Sequence, residues 1–190
     1  MARIFPKKEP RVVIIGPSGK SRKLSRRREA LRDALWPDAA TQVWSRHEGK
    51  GFTTIPRVLP LIMRLATELS QKGDPSRVYM DLWARAFDEG LITVHDEEDM
   101  AYSAGYSGPR AVRTWREHLQ TLEQVGFIRT KEQGNREIAH ILLLDPLKVA
   151  VKLNAKGKVP SAWWTALVTR CSEIGAQIDA SELSEDVALA

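Results

Sequence analysis

At 190 residues, with 43% hydrophobic and 28% charged positions, the chain can bury one sizeable core, and its balance excludes an extended polyelectrolyte. No apolar run approaches the roughly 18–20 residues of a membrane-spanning helix, and the opening MARIFPKKEPR lacks the apolar core of a secretory signal, so the expected setting is the cytoplasm. The net charge of +5 hides an asymmetry: residues 1–32 hold eleven Lys and Arg against two Glu, or +9, and everything after them sums to −4.

Residues 11–15 predict a short strand, followed by Gly16-Pro17-Ser18-Gly19-Lys20-Ser21. A phosphate-binding loop needs a glycine five positions before its Gly-Lys pair to give the backbone nest its length. Ile14 stands there, so the segment reads as a linker around a basic cluster and not as a nucleotide site. Residues 21–36 predict a helix, ended by Pro37, with Leu24, Ala30, Leu31, Ala34 and Leu35 available to one face. Lys20, Arg22, Lys23, Arg26, Arg27 and Arg28 crowd its first half. Such a run can be a solvated face, but five bases at positions 22–28 exceed what solubility requires and favour a phosphate backbone. Residues 1–37 therefore read as a basic arm.

Residues 44–52 read as a loop with two aromatic anchors, Trp44 and Phe52. A helix then opens at residues 53–56 and runs through residue 70, with Leu59, Ile62, Met63, Ala66 and Leu69 inward and Pro60 in or near its first turn. Residues 38–74 thus supply a loop and a helix that packs on the core. Gly73-Asp74-Pro75 breaks the chain, Asp74 as cap and Pro75 at the first position of the next helix. That helix, residues 76–89, places Tyr79, Leu82, Trp83, Ala86 and Phe87 toward the core, and residues 91–94 predict a short strand.

Residues 96–145 are the most legible stretch. Asp96 caps a short helix with Met100, Ala101 and Ala104 on its apolar face, and Gly105 stops it. After a turn at Tyr106-Ser107-Gly108, Pro109 opens a long helix over residues 109–125. Val112, Trp115, Leu119 and Leu122 face inward; Arg110, Arg113, Thr114, Glu117, Gln120 and Thr121 face outward. Gly126 ends it, residues 127–130 and 138–144 predict two strands, and Gly134-Asn135 reverses the chain between them.

Helix, turn, helix and hairpin in that order resemble the winged helix-turn-helix superfamily. The run PRAVRTWREHLQTLEQVGFI carries most of the likeness, since that family's second helix commonly ends in a Leu-Glu-x-x-Gly-apolar-Ile-like segment leading into the wing. The resemblance covers residues 75–145, under half of the chain. It implies a mainly α, α+β fold: a winged helix-turn-helix core with flanking helices, residues 91–94 joining the wing as its third strand. It also implies double-stranded DNA as partner. Ser107, Arg110, Arg113 and Thr114 would stand on the recognition helix, where Arg can pair with guanine. Arg129, Lys131, Asn135 and Arg136 would hold backbone from the wing. The segment GFTTIPR with this winged helix also resembles uncharacterised bacterial proteins of mobile elements. The expected function is a transcriptional regulator or a plasmid replication or maintenance factor, nucleoid-associated in the cytoplasm.

Charge argues the other way. Asp96, Glu97, Glu98, Asp99 and Glu117 outnumber Arg110, Arg113 and Arg116, so the acids must point away from a phosphate surface if DNA binds here. Glu117 reads more plainly as a partner for Arg113 one turn away than as an acceptor from cytosine. A protein-docking scaffold without sequence-specific DNA binding stays open as the alternative. Cys171 stands alone, and His47, His95, His118 and His140 are scattered, so no metal site is expected. No nucleophile–base arrangement emerges either; neither an enzyme nor a cofactor is expected.

Residues 146–153 and 161–174 predict two further helices, and the adjacent Trp163 and Trp164, with Leu167 and Val168, pack against the body or against a second subunit in a homodimer. Residues 146–178 form this C-terminal part. Residues 179–190 are an acidic tail, no base following Arg170.

Overall fold

The basic segment is helical from Gly19 onward. In the computed structural model, which describes residues 19–37, 42–45 and 49–178, α1 (Gly19–Leu35) begins two residues ahead of the expected start. Gly19, Lys20 and Ser21 therefore belong to a helix and not to a linker; nothing at these positions blocks helical backbone, and the Lys, Arg, Leu and Ala that follow favour it. The expected strand at 11–15 and the acidic tail at 179–190 lie outside the described residues. So do the side chains of Lys20, Arg22, Lys23 and Leu24. The chain divides into two units, residues 1–50 and 51–190. In the first, Leu31, Leu35 and Trp36 are exposed.

The second unit holds six helices and a three-stranded antiparallel sheet among the described residues, an α+β arrangement. α2 (Leu59–Glu68) starts at the proline, not at residue 53: Pro60 has no N–H to donate and is accommodated only in the first turn. Leu59, Ile62, Leu65 and Ala66 are buried there. α3 (Ser76–Arg85) begins at the expected residue, but Pro75 takes the cap position expected for Asp74, whose carboxylate accepts from the Ser76 N–H at 2.9 Å. It also ends early. Ala86 turns extended at ψ 145°, which swings Phe87 out to 78% exposure instead of into the core.

β1 (Leu91–Thr93) leads to α4 (Glu97–Ser103), α5 (Ala111–Val125), β2 (Ile128–Gln133) and β3 (Arg136–Leu143). The sheet order is β1-β3-β2, so the early strand joins the hairpin along β3, with Ile92 opposite Ile141. Gly126, at φ +96°, ends α5 in the left-handed conformation that side chains resist, and turns the chain directly into β2. At the hairpin tip Gly134 has φ +60° while no described residue other than glycine has positive φ, which fits a turn with its one left-handed residue in first place.

α6 (Pro146–Ala155) is capped by Asp145, which accepts from Leu147 and Lys148 N–H at 2.9 and 3.3 Å, and α7 (Ser161–Ile174) follows. The Trp163 indole donates to the Leu61 carbonyl at 2.8 Å, so this tryptophan packs on α2 of its own unit. One core unites all these elements. Trp115, Leu119 and Leu122 of α5 are fully buried within it, and the Tyr79 ring lies 5.5 Å from Phe127. Burial raises both the Tyr79 hydroxyl and the Cys171 thiol above their ordinary pKa values. No helix among the described residues is long and apolar enough to cross a membrane.

Candidate nucleic-acid interface

The α4–α5 turn is held by a ring pair of which His118 is buried and Tyr106 half-buried. Tyr106 and His118 share a hydrogen bond of 2.6 Å between the phenolic oxygen and Nδ1, with ring centres 5.4 Å apart. His118 is 5% exposed, three residues after Trp115 and four before Leu122, and so lies on the inward stripe of α5. Burial raises the pKa of the Tyr106 hydroxyl. On the far side, Asp74 accepts from the hydroxyls of Thr67, at 2.6 Å, and Ser76; these bonds hold its carboxyl below the ordinary carboxylate range. Gly73 comes so close to His118 that an added Cβ would meet Nε2 at 3.1 Å. The turn, the start of α3 and the middle of α5 are thereby fastened together.

From this turn α5 begins at Ala111, two residues later than expected. Pro109 lies in the turn, and Arg110, at φ −106°, is the cap residue, its carbonyl accepting from Thr114 N–H at 2.9 Å. Pro109 needs no donor there, and the left-handed Gly108 before it shapes the entry. Ser107, Arg110 and Arg113 are exposed, and Thr114 is half-buried. Arg113 pairs with Glu117 at 3.0 Å, the plainer of the two assignments for that carboxylate. Thr121 is not on the outer face. It is 5% exposed, its hydroxyl donating to the Glu117 carbonyl, and Val112 is only half-buried, so the inward stripe is rotated slightly from the simple count.

The acids around the turn are largely engaged. Asp96 caps α4, accepting from Glu98 and Asp99 N–H at 2.8 and 3.3 Å. Glu97 bonds the Arg116 guanidinium at 2.7 Å, and Arg116 reaches Glu137 of β3 at 3.1 Å. The bond to Glu97 raises the Arg116 pKa further. Asp99 stands 3.7 Å from Arg85, which also holds Asp81 at 2.7 Å. Arg116 therefore joins α4, α5 and β3. Spacing gave no sign of this: Glu97 and Glu137 lie in other elements, and only the fold brings them to one guanidinium.

The hairpin distributes its cations differently. Thr130 faces α5, its N–H and hydroxyl bonded to Glu123 at 2.6 and 2.8 Å. Arg129 and Lys131 flank it and project from the other face of the sheet, both exposed. Among the described residues neither makes an ion pair. Asn135 and Arg136 line a recess of about 410 Å³ together with Glu97, Arg116 and Glu137, and the Arg136 guanidinium donates to the Val94 carbonyl at 3.1 Å. Asn135 and Arg136 thus come together beside α4 and α5, whereas Arg129 and Lys131 do not. In the first unit Arg26, Arg27 and Arg28 are exposed on α1. No group of His, Cys, Asp and Glu among the described residues could hold a metal ion. No protein-family model, curated protein or solved structure matches the chain.

Proposed function

We propose that this chain binds double-stranded DNA as a winged helix-turn-helix protein, a transcriptional regulator or a plasmid replication or maintenance factor acting at the nucleoid. The observation that carries the reading is the succession of α4, a fastened turn and α5, followed by a hairpin that closes a sheet in the order β1-β3-β2. It is supported by Arg110 and Arg113, exposed where α5 begins, Arg113 beside its partner Glu117, while Glu97 and Asp99 face Arg116 and Arg85. In this reading Arg110 and Arg113 meet base edges, Lys131 and Arg129 hold backbone, and the arm adds non-specific affinity.

The test is a pair of substitutions on a duplex selected from a random library. Arg113→Ala should cost about 1–3 kcal/mol on the selected site and little on random DNA, because a bidentate base contact is lost. Lys131→Ala should weaken both about equally. Intact duplex affinity in both folded variants would remove the recognition face from DNA. The second reading, a protein-docking scaffold, draws on the Arg113–Glu117 pair and the Arg136–Val94 bond, which engage two of the guanidinium groups the DNA reading needs.

A further inference from the structure

The sheet turns one face to the core, where Ile92, Ile128, Ala139, Ile141 and Leu143 are buried, so the residues that alternate with them form a second, outer face. Strand register sets that face in two rows across the three strands. Leu91, Leu142 and Arg129 make one row, and Thr93, His140 and Lys131 make the next. Two residues of strand separate the rows, or about 7 Å, and each row ends in a cation on β2. Leu91, Leu142, Arg129 and Lys131 are exposed and His140 is half-buried. No carboxylate stands in either row.

His140 occupies the middle strand, and both of its nitrogens are engaged. Its Nε2–H donates to the side-chain carbonyl of Gln133 at 2.9 Å, and its Nδ1 accepts from the Thr93 hydroxyl at 3.3 Å. The partners belong to β2 and β1, so the ring is fixed from both flanks of β3. With its polar atoms occupied, it offers a ligand only its face and its carbon edge. Duplex DNA would use the two cations, but its bases are stacked inside and gain nothing from the ring or the leucines. An acidic peptide would use the cations and has no need of a fixed flat ring. A single strand repeats an unstacked base joined to a phosphate, and so satisfies the ring, the leucines and the cations together.

We propose that this outer face binds single-stranded DNA, one base stacked on the His140 imidazole, a neighbouring base against Leu142 and Leu91, and their phosphates on Lys131 and Arg129. The proposal goes beyond the duplex reading and does not rest on it. Where both hold, a single strand and a duplex exclude each other from the hairpin, because Arg129 and Lys131 serve one backbone at a time.

The test is fluorescence anisotropy of the full chain with a labelled oligodeoxythymidine of about twelve nucleotides. His140→Ala should weaken binding about tenfold, because a stacked base is lost, whereas His140→Phe should retain it, because a ring face remains although both nitrogens are gone. Leu142→Ser should weaken binding in the same direction. Lys131→Ala should lower the slope of log affinity against log salt by about 0.7, the share of one phosphate contact on a single strand. Arg113→Ala, which tests the duplex reading, should leave this affinity unchanged, and His140→Ala should leave duplex affinity unchanged, so either reading can fail without the other. Equal losses in His140→Ala and His140→Phe, equal binding of an abasic strand of the same length, or tighter binding of oligouridine would each overturn the proposal.

Discussion

The arginines of the helical half and the cations of the hairpin and arm differ in what surrounds them. Arg85 and Arg116 each meet a carboxylate at 2.7 Å and link separate elements of the chain, whereas Arg113 meets Glu117 within α5 and stays exposed. Arg129 and Lys131 stand on the outer face of the sheet, and Arg26, Arg27 and Arg28 lie exposed along α1. The same residue types thus do two kinds of work. A charge engaged by its own fold positions elements, and its attraction for an outside anion is diminished; a charge facing water retains that attraction. Counting acids and bases along the sequence merges the two classes.

Three measurements would break or sharpen this contrast. The largest effect is expected from deleting residues 1–28. Each phosphate contact contributes about 0.9 to the slope of log affinity against log salt on duplex DNA, so loss of several arm cations should flatten the slope by several times that amount. An unchanged slope would take the arm out of the water-facing, phosphate-binding class. Next, Arg116→Ala should lower folding stability by about 1 kcal/mol in urea titration, since it removes a partly exposed two-carboxylate junction, and should leave the salt slope untouched. A reduced slope with unaltered stability would reverse the assignment. The smallest effect concerns Asp74. Its folded pKa lies below the ordinary value of 3.8, so its contribution is fully present above that value and disappears as pH falls through the lower, folded one. Asp74→Asn should therefore flatten the most acidic part of the stability profile and alter the neutral part less. Identical acid limbs in the variant and the parent chain would show that the Thr67 and Ser76 hydrogen bonds do not couple to folding.

Much of the fold was legible because local rules and burial agreed. The Asp96 cap, the Gly126 stop and the Gly134-Asn135 reversal each rest on a backbone preference, and each stands where the sequence reading put it. The boundaries that moved are those of helix ends. α3 stops at Arg85 although Ala86 and Phe87 continue the helical spacing, and only the extended backbone at Ala86 shows that Phe87 leaves the core. Prolines 60 and 75 marked helix starts to within a residue, but the apolar pattern before α2 invited an earlier one. Of the candidate site, the exposed places of Arg110 and Arg113 followed from periodicity, and that of Lys131 from its position beside the Gly134-Asn135 tip. The joints that hold them, Tyr106 with His118 and Arg116 with Glu97 and Glu137, join residues twelve to twenty-one positions apart and have no local signature.

The Glu123–Thr130 bond has a meaning beyond the placement of the hairpin. β3 is the central strand, so among the described residues β2 presents one margin with no strand beside it, a row of backbone groups to which another polypeptide could add. The Glu123 carboxylate occupies the Thr130 N–H on that margin at 2.6 Å. A foreign strand would have to displace a charge-assisted bond before it could pair there, and would then leave the carboxylate beside its own carbonyls. The side chain thus works as a guard against uncontrolled growth of the sheet from chain to chain. Glu123→Ala would lift that guard, and its expected signature is concentration-dependent self-association in light scattering, with the monomer's helical content preserved.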